Sequence, residues 1–515
     1  MSREARGEGP AAAAAAEVCR LRLKFPGSGG LLFDDLSIAV PKGQKVLLLG
    51  PSGCGKSTLL QVMAGLIPGS IEVPMKAEKL LVPDSWGYLF QDPDAQFCMP
   101  FVDEELAFVL ENMSVPREAM EGLIRDALHK AQLHLPEAHV PIASLSQGMK
   151  QRLAIASLLL MNPEVWFLDE PTALLDPEGT DQVWSTIRQV AADRTVLIVE
   201  HKIEEIVSFV DRVVLFDGQA RIIADGKPED VFREHEQAFR EYGIWYPGVW
   251  EDYAESLRYG NLLSGRTLQS ENAEPQTLAE IREFAGFHGK ARKIFVHQSR
   301  IAPGDWIAVV GENGAGKSTL LQSLMQLIRT EGRYSLAGRM VYGFADIADA
   351  AAYVFQNPEM QFVTNSVFDE VAFTLRRSGE KEESVTIQTS ESLEWFGLSE
   401  HRGHHPYQLS LGQKRRLSVA AAAVEARRML LLDEPTFGQD AANTFALLEK
   451  LEAWRAEGTA VVMVTHDPQI VRYFATRVWE VKQGELAAEL SPEAYLRRFE
   501  EKAKAEAREE EIACS

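Results

Sequence analysis

The same ordered set of short motifs occurs twice in this chain, about 260 residues apart, and such self-similarity points to two folded copies of one unit. GPSGCGKST at 50–58 recurs as GENGAGKST at 311–319, and YLFQDPDAQF at 88–97 recurs as YVFQNPEMQF at 353–362. LSQGMKQR at 145–152 is matched by LSLGQKRR at 409–416, and VWFLDEPTALLD at 165–176 by MLLLDEPTFGQD at 429–440. The offsets between equivalent residues run only from 261 (Lys56 to Lys317) to 265 (Gln91 to Gln356), so few insertions separate the copies. We place domain 1 at 17–235 and domain 2 at 276–497. Residues 1–16 are expected to be a disordered tail, 236–275 a linker and 498–515 a charged tail.

Within each copy, apolar runs alternate with helix-like patterns. The runs Lys45–Leu49, Val165–Leu168 and Thr195–Val199 have counterparts at Trp306–Val310, Met429–Leu432 and Ala460–Val464. This alternation predicts an α/β fold built on a mainly parallel sheet. The linker opens with Tyr242, Trp245, Tyr246, Trp250 and Tyr253, read as aromatics packing on a domain, and closes with a polar stretch.

Apolar residues at 46% are enough to bury two cores, and a net charge of −22 argues against an extended phosphate-neutralising surface, so no nucleic-acid partner is expected. No run of about 18 uncharged apolar residues is present. Cys19, Cys54, Cys98 and Cys514 form no C-x-x-C pair, which disfavours a zinc site or a disulfide framework and fits a cytoplasmic setting.

G-x-x-x-x-G-K-[ST] is a phosphate cradle: glycines let backbone N–H groups turn toward the anion, while a helix N-terminus and a lysine add positive potential. The first loop comprises Gly50, Pro51, Ser52, Gly53, Cys54, Gly55, Lys56, Ser57 and Thr58. The second comprises Gly311, Glu312, Asn313, Gly314, Ala315, Gly316, Lys317, Ser318 and Thr319. The lysines are assigned to the phosphates of ATP, and Ser57 and Ser318 to Mg2+. Cys54 is read either as a thiol activated by the helix N-terminus or as a small filler. The apolar strands ending in Asp169-Glu170 and Asp433-Glu434 carry paired acids. The aspartates are assigned to Mg2+ and the glutamates to general-base activation of water.

Taken together, these motifs resemble the ATP-binding-cassette ATPases over almost the whole chain, each copy implying a RecA-like α/β core with a helical signature subdomain. LSQGM and LSLGQ are similar to that family's LSGGQ signature. The resemblance implies head-to-tail pairing of two cassettes, each ATP lying between one phosphate loop and the opposite signature. The first site would then comprise Lys56, Ser57, Gln91, Asp169, Glu170 and His201, closed by Ser410, Gly412 and Gln413. The second would comprise Lys317, Ser318, Gln356, Asp433, Glu434 and His466, closed by Ser146, Gly148 and Met149. By the same resemblance, Gln91 and Gln356 reach the metal, His201 and His466 sense the γ-phosphate, and Phe25 and Phe287 stack on adenine. Gln147, Leu411 and Met149 depart from the signature pattern, leaving the equality of the two sites open.

The text after each Gln, with IVEHKIEE and LSLGQKRR, is similar to energy-coupling-factor importers. That implies a membrane T-component and a substrate-binding S-component as partners, and a place on the cytoplasmic face of the membrane. Double cassettes of this kind resemble hydroxymethylpyrimidine/thiamine importers, with cobalt-type importers beside them. Fused sugar-importer ATPases usually have one altered phosphate loop, whereas both are intact here. Ribosome-associated double cassettes usually carry a long charged helical linker, which this chain lacks.

Overall fold

The structure is a computed structural model that describes residues 13–26, 29–172, 175, 177–201, 203–204, 206–256, 258–260 and 277–513. It divides into two compact units, of which the first is essentially 1–247 and the second 248–515, with a short exchange at 440–442. The polar half of the expected linker and most of the expected N-terminal tail lie outside the described residues, as does Asp176.

The first unit contains β1 (Ala14–Leu23), β2 (Phe33–Pro41), β3 (Lys45–Leu49), β4 (Met75–Lys76), β5 (Lys79–Leu81), β6 (Trp86–Leu89), β7 (Val165–Asp169), β8 (Thr195–Val199), β9 (Arg212–Phe216) and β10 (Ile222–Gly226). Ala14–Ala16, assigned to the tail from sequence, instead begin β1, and Ala16 is fully buried. Pairing explains the correction: Ala14 and Ala16 stand opposite Pro41 and Val40 of β2, and Ala16 shares the inward side of Val18 two residues on. Strand β1 pairs antiparallel with β2, β4 and β5. The main sheet runs β10-β9-β3-β8-β7-β6, parallel except for β10. Its central strands are buried along their length, as expected for a sheet covered on both faces.

The second unit repeats the plan with β11 (Ala279–His288), β12 (Ala291–Ile301), β13 (Trp306–Val310), β14 (Arg329–Leu336), β15 (Arg339–Met340), β16 (Ala351–Val354), β17 (Met429–Asp433), β18 (Ala460–Val464), β19 (Arg477–Lys482) and β20 (Glu485–Leu490). Here the antiparallel and parallel parts join into one ten-stranded sheet through a pairing of β12 with β20 at Phe295 and Glu485.

Registers align the strand ends. Leu48, Val199 and Asp169 lie in one row across β3, β8 and β7. Val309, Val464 and Asp433 form the equivalent row in the second unit. Ligands of open α/β sheets bind beyond such carboxyl ends, and all the catalytic candidates leave the sheet there. Each unit adds helices outside the sheet: Val102–Asn112, Arg117–Lys130 and Gln147–Met161 in the first, Val367–Arg377, Glu382–Trp395 and Leu411–Ala423 in the second.

The aromatic segment after the first cassette divides its attachments. Phe239 and Tyr246 pack with each other near Phe232 in the first unit. Trp250 and Tyr253 contact Phe445, Tyr473 and Phe474 in the second. The expected charged tail begins inside a helix, Pro492–Ala513. Among the described residues no helix is long and apolar enough to cross a membrane.

Candidate active site

Each phosphate loop connects a buried strand to a helix: β3 to Lys56–Met63, and β13 to Lys317–Leu324. Gly55 and Gly316 cap these helices in the left-handed conformation, at φ 96° and 108°, and as glycines bring no capping side chain to the first-turn N–H groups. A bound anion suits such a helix end. At Gly311 a Cβ would stand 2.2 Å from the Val481 carbonyl oxygen, so the second loop is closed to any larger residue there. Lys56 Nζ donates to the Gly50 and Pro51 carbonyls at 2.8 and 3.0 Å, and Lys317 Nζ to those of Gly311 and Glu312 at the same distances. Both ammonium groups are buried inside their loops.

Cys54 is buried, its Sγ 3.9 Å from Lys56 Nζ, and burial pushes its thiol pKa up despite the opposing pull of that cation. Of the two readings left open by sequence, the filler fits: desolvation outweighs the helix end.

Asp169 stands at the end of β7, where Ser57 Oγ donates to its Oδ1 at 2.7 Å and the Tyr88 hydroxyl to its Oδ2 at 2.9 Å. Burial pushes this carboxyl up to about 6, helped by the Glu170 charge and opposed by Ser57, Tyr88 and Lys56. Asp433 is likewise pushed up to about 6, chiefly by burial. Its Oδ2 accepts from Tyr353 at 3.2 Å, the Ser318 hydroxyl beside it opposes the rise, and its buried Oδ1 has no well-aligned hydrogen bond among the described residues. A buried carboxylate oxygen beside a serine hydroxyl is a donor set suited to a hard cation such as Mg2+.

Glu170 and Glu434 follow in the left-handed region, at φ 47° and 52°. Successive side chains of an extended strand face opposite sides, and this turn lets adjacent acids serve one cavity. Glu170 accepts from Gln91 Nε2 at 2.6 Å and meets His201 Nε2 at 3.1 Å. Burial would raise its pKa, but His201, Lys56 and Gln91 together hold it below the usual carboxylate value. His201 shows the converse: burial lowers its pKa and Glu170 more than restores it, leaving it above the ordinary imidazole value. In the second cassette His466 Nε2 lies 3.4 Å from Glu434 without hydrogen-bond alignment. Gln356 is exposed, and among the described residues no hydrogen bond links it to Glu434. Arg415 Nη1 instead donates to the Glu434 carbonyl at 2.8 Å.

Phe25 is exposed beyond β1, whereas Phe287 is half-buried with the Arg329 guanidinium 5.2 Å over its ring. Ser146 and Ser410 cap the signature helices, so Gly148 and Gly412 lie in the first turn. Gln413 completes a capping box with Ser410; Met149 at the equivalent position has no polar atom to return the bond.

Several residues in these regions were not singled out from sequence. Tyr88 and Tyr353 each reach the aspartate at the neighbouring strand end. Glu105 accepts from the Cys98 and Met99 amides, and Glu370 from those of Val363 and Thr364. Lys150 pairs with Asp94 at 2.7 Å and Lys414 with Glu359 at 2.5 Å. Each pair recurs between the two copies at the repeat offset, a signal that comparing every polar residue across copies would have revealed.

The ABC transporter family profile matches residues 33–173 and 297–437. A protein of Bacillus subtilis (strain 168), named provisionally as an HMP/thiamine import ATP-binding protein, is 35% identical over 492 residues, covering 90% of this chain and 88% of that one. A provisionally named ABC transporter ATP-binding protein of Methanosarcina acetivorans is 33% identical, covering 91% and 84%. Among solved structures, RNase-L Inhibitor superposes with a TM-score of 0.59 at 19% identity, covering 89% and 87%. An archaeal ribosome recycling factor, solved with a ribosomal stalk protein, gives 0.58 at 20% identity with the same coverage. At that identity these two likenesses speak for the fold alone. Two family matches, each spanning a phosphate loop and a paired-acid strand, place the chain in the ABC transporter family as a fused double-cassette ATP hydrolase.

Proposed function

We propose that this protein energises an energy-coupling-factor importer from the cytoplasmic face of the membrane, with hydroxymethylpyrimidine or thiamine the favoured cargo. The observation that carries the reading is two intact sets of lysine, serine, aspartate, glutamate and histidine at the strand ends, in a chain 35% identical to a protein named for HMP/thiamine import. A membrane T-component and a substrate-binding S-component would be its partners. A ribosomal role like that named for one structural neighbour has no such sequence support, at 20% identity.

In this reading the uncapped helix N-termini and the buried Lys56 and Lys317 bind the ATP phosphates. Ser57 with Asp169, and Ser318 with Asp433, hold Mg2+, which neutralises charge on the phosphate oxygens when bound. Glu170 and Glu434, kept ionised by their surroundings, accept the proton of the attacking water. His201 and His466 lie beside them to sense the γ-phosphate. The two cassettes pair head to tail within the chain, so that Ser410, Gly412 and Gln413 close over the nucleotide held by Lys56. Ser146, Gly148 and Met149 close over that held by Lys317. ATP binding closes the pair and hydrolysis reopens it, a bistable interface biased by γ-phosphate contacts.

The test is to isolate tagged protein from detergent-solubilised membranes. Recovery with a small multi-spanning protein and a vitamin-binding one supports the importer; recovery with ribosomes overturns it. Unchanged precursor uptake after deletion of the gene would end the cargo assignment.

A further inference from the structure

The signature glutamine of the second cassette is held by a chain of hydrogen bonds that the first cassette lacks. The Ser410 N–H donates to Gln413 Oε1 at 2.9 Å, which fixes the amide orientation and turns its NH2 group toward His401. Gln413 Nε2 lies 3.0 Å from His401 Nε2. An amide nitrogen only donates, so that imidazole nitrogen is unprotonated and the His401 proton sits on Nδ1. From there it reaches His404 Nδ1, 3.1 Å away, which must also be an acceptor. One arrangement satisfies the three contacts: Gln413 to His401 to His404, with both rings neutral. In the first cassette Met149 replaces Gln413, and the residue aligned with His401 is the exposed Glu137. Brace and braced residue are absent together.

We infer that His401 is a positioning residue for Gln413, making the signature of the second cassette a proton-sensitive clamp and the two ATP sites unequal. The inference rests on the head-to-tail reading, in which Gln413 closes over the nucleotide held by Lys56. A proton on either ring places two donors face to face and breaks the chain. The charged and titratable neighbours of His401 are His404, Glu400 and Arg416. Burial, the adjoining His404 ring and the Arg416 cation resist its protonation, while Glu400 favours it. The clamp therefore forms at neutral pH and is lost in acid.

The experiment compares ATPase kinetics of the full chain with those of H401A, H401Q, Q413A and the double variant H401A/Q413A, from pH 5.5 to 8. Loss of one hydrogen bond predicts a rise in KM for ATP at pH 7.5 of about three- to tenfold in H401A, with kcat little changed. The parent should show a rise in KM in acid, and that rise should flatten in this variant. Q413A should raise KM similarly, and the double variant should add nothing further. A raised KM in Q413A with an unaltered KM and pH profile in H401A overturns the brace. If Q413A also leaves KM unmoved, the head-to-tail pairing has failed and the clamp falls with it. Nitrogen NMR of the imidazoles supplies a readout independent of nucleotide: an Nδ1-protonated, Nε2-bare His401 supports the chain, and the opposite tautomer overturns it.

Discussion

At the scale of single residues, the chemistry depends on how burial and partners set each acid. Replacing Glu170 and Glu434 together by Gln should cut turnover by roughly 10² to 10⁴ with ATP binding intact, measured by steady-state hydrolysis and nucleotide titration. Retained turnover would remove both from the general-base role. Asp169 and Asp433 make a pH prediction. Their carboxyls rise from an ordinary 3.8 to about 6 in the metal-free protein, yet a metal requires the carboxylate. Mg2+ affinity should thus fall by roughly tenfold per pH unit below about 6, with protons released on binding; calorimetric titration from pH 5 to 7.5 would show it. For folding, a raised carboxyl pKa stabilises while the acid is protonated. That contribution is full below 3.8 and is lost as the pH climbs through about 6. Y88F removes a hydrogen bond that favours the ionised Asp169, and should move the Mg2+ dependence to higher pH. The lysine, serine and paired acids were legible because their motifs have fixed spacing. Tyr88 was not, although it stands three residues before Gln91: a tyrosine in an apolar strand is ordinary core, and only the register of β6 beside β7 turns its hydroxyl to the aspartate.

At the scale of elements, the strands were read nearly to the residue because they are buried on both faces and so appear as unbroken apolar runs. The edges were less legible. β1 begins inside an alanine run that carries no strand signal of its own, and it is recruited by pairing with β2. The linker was read as aromatics on a domain, but not that Trp250 and Tyr253 pack on the following cassette. Trp250 is buried against Phe445 and Tyr473, so W250A should cost about 3–5 kcal/mol. Denaturant unfolding followed by limited proteolysis should show the loss in the second unit and leave the first unchanged. Equal loss in both would mean that this helix does not belong to one cassette.

At the scale of the whole molecule, the repeat predicts two nucleotides per chain. K56A and K317A should each reduce the stoichiometry from two to one in equilibrium dialysis, and the double variant should abolish binding; full occupancy in either single variant would contradict the assignment. The copies are alike in backbone but not in polar wiring. Gln91 grips Glu170, whereas Arg415 holds the backbone of Glu434. E170Q and E434Q should therefore differ in residual activity when made singly. The left-handed turn at each of these glutamates has a wider consequence. A residue with a Cβ in that conformation costs of order 1 kcal/mol, and glycine would sit there without strain. An acid stands at each position where the backbone asks for none. A breeder of heat-tolerant variants, screening on endurance alone, would find these two positions inviting and would arrive at a sturdier chain that clasps ATP and leaves it uncleaved.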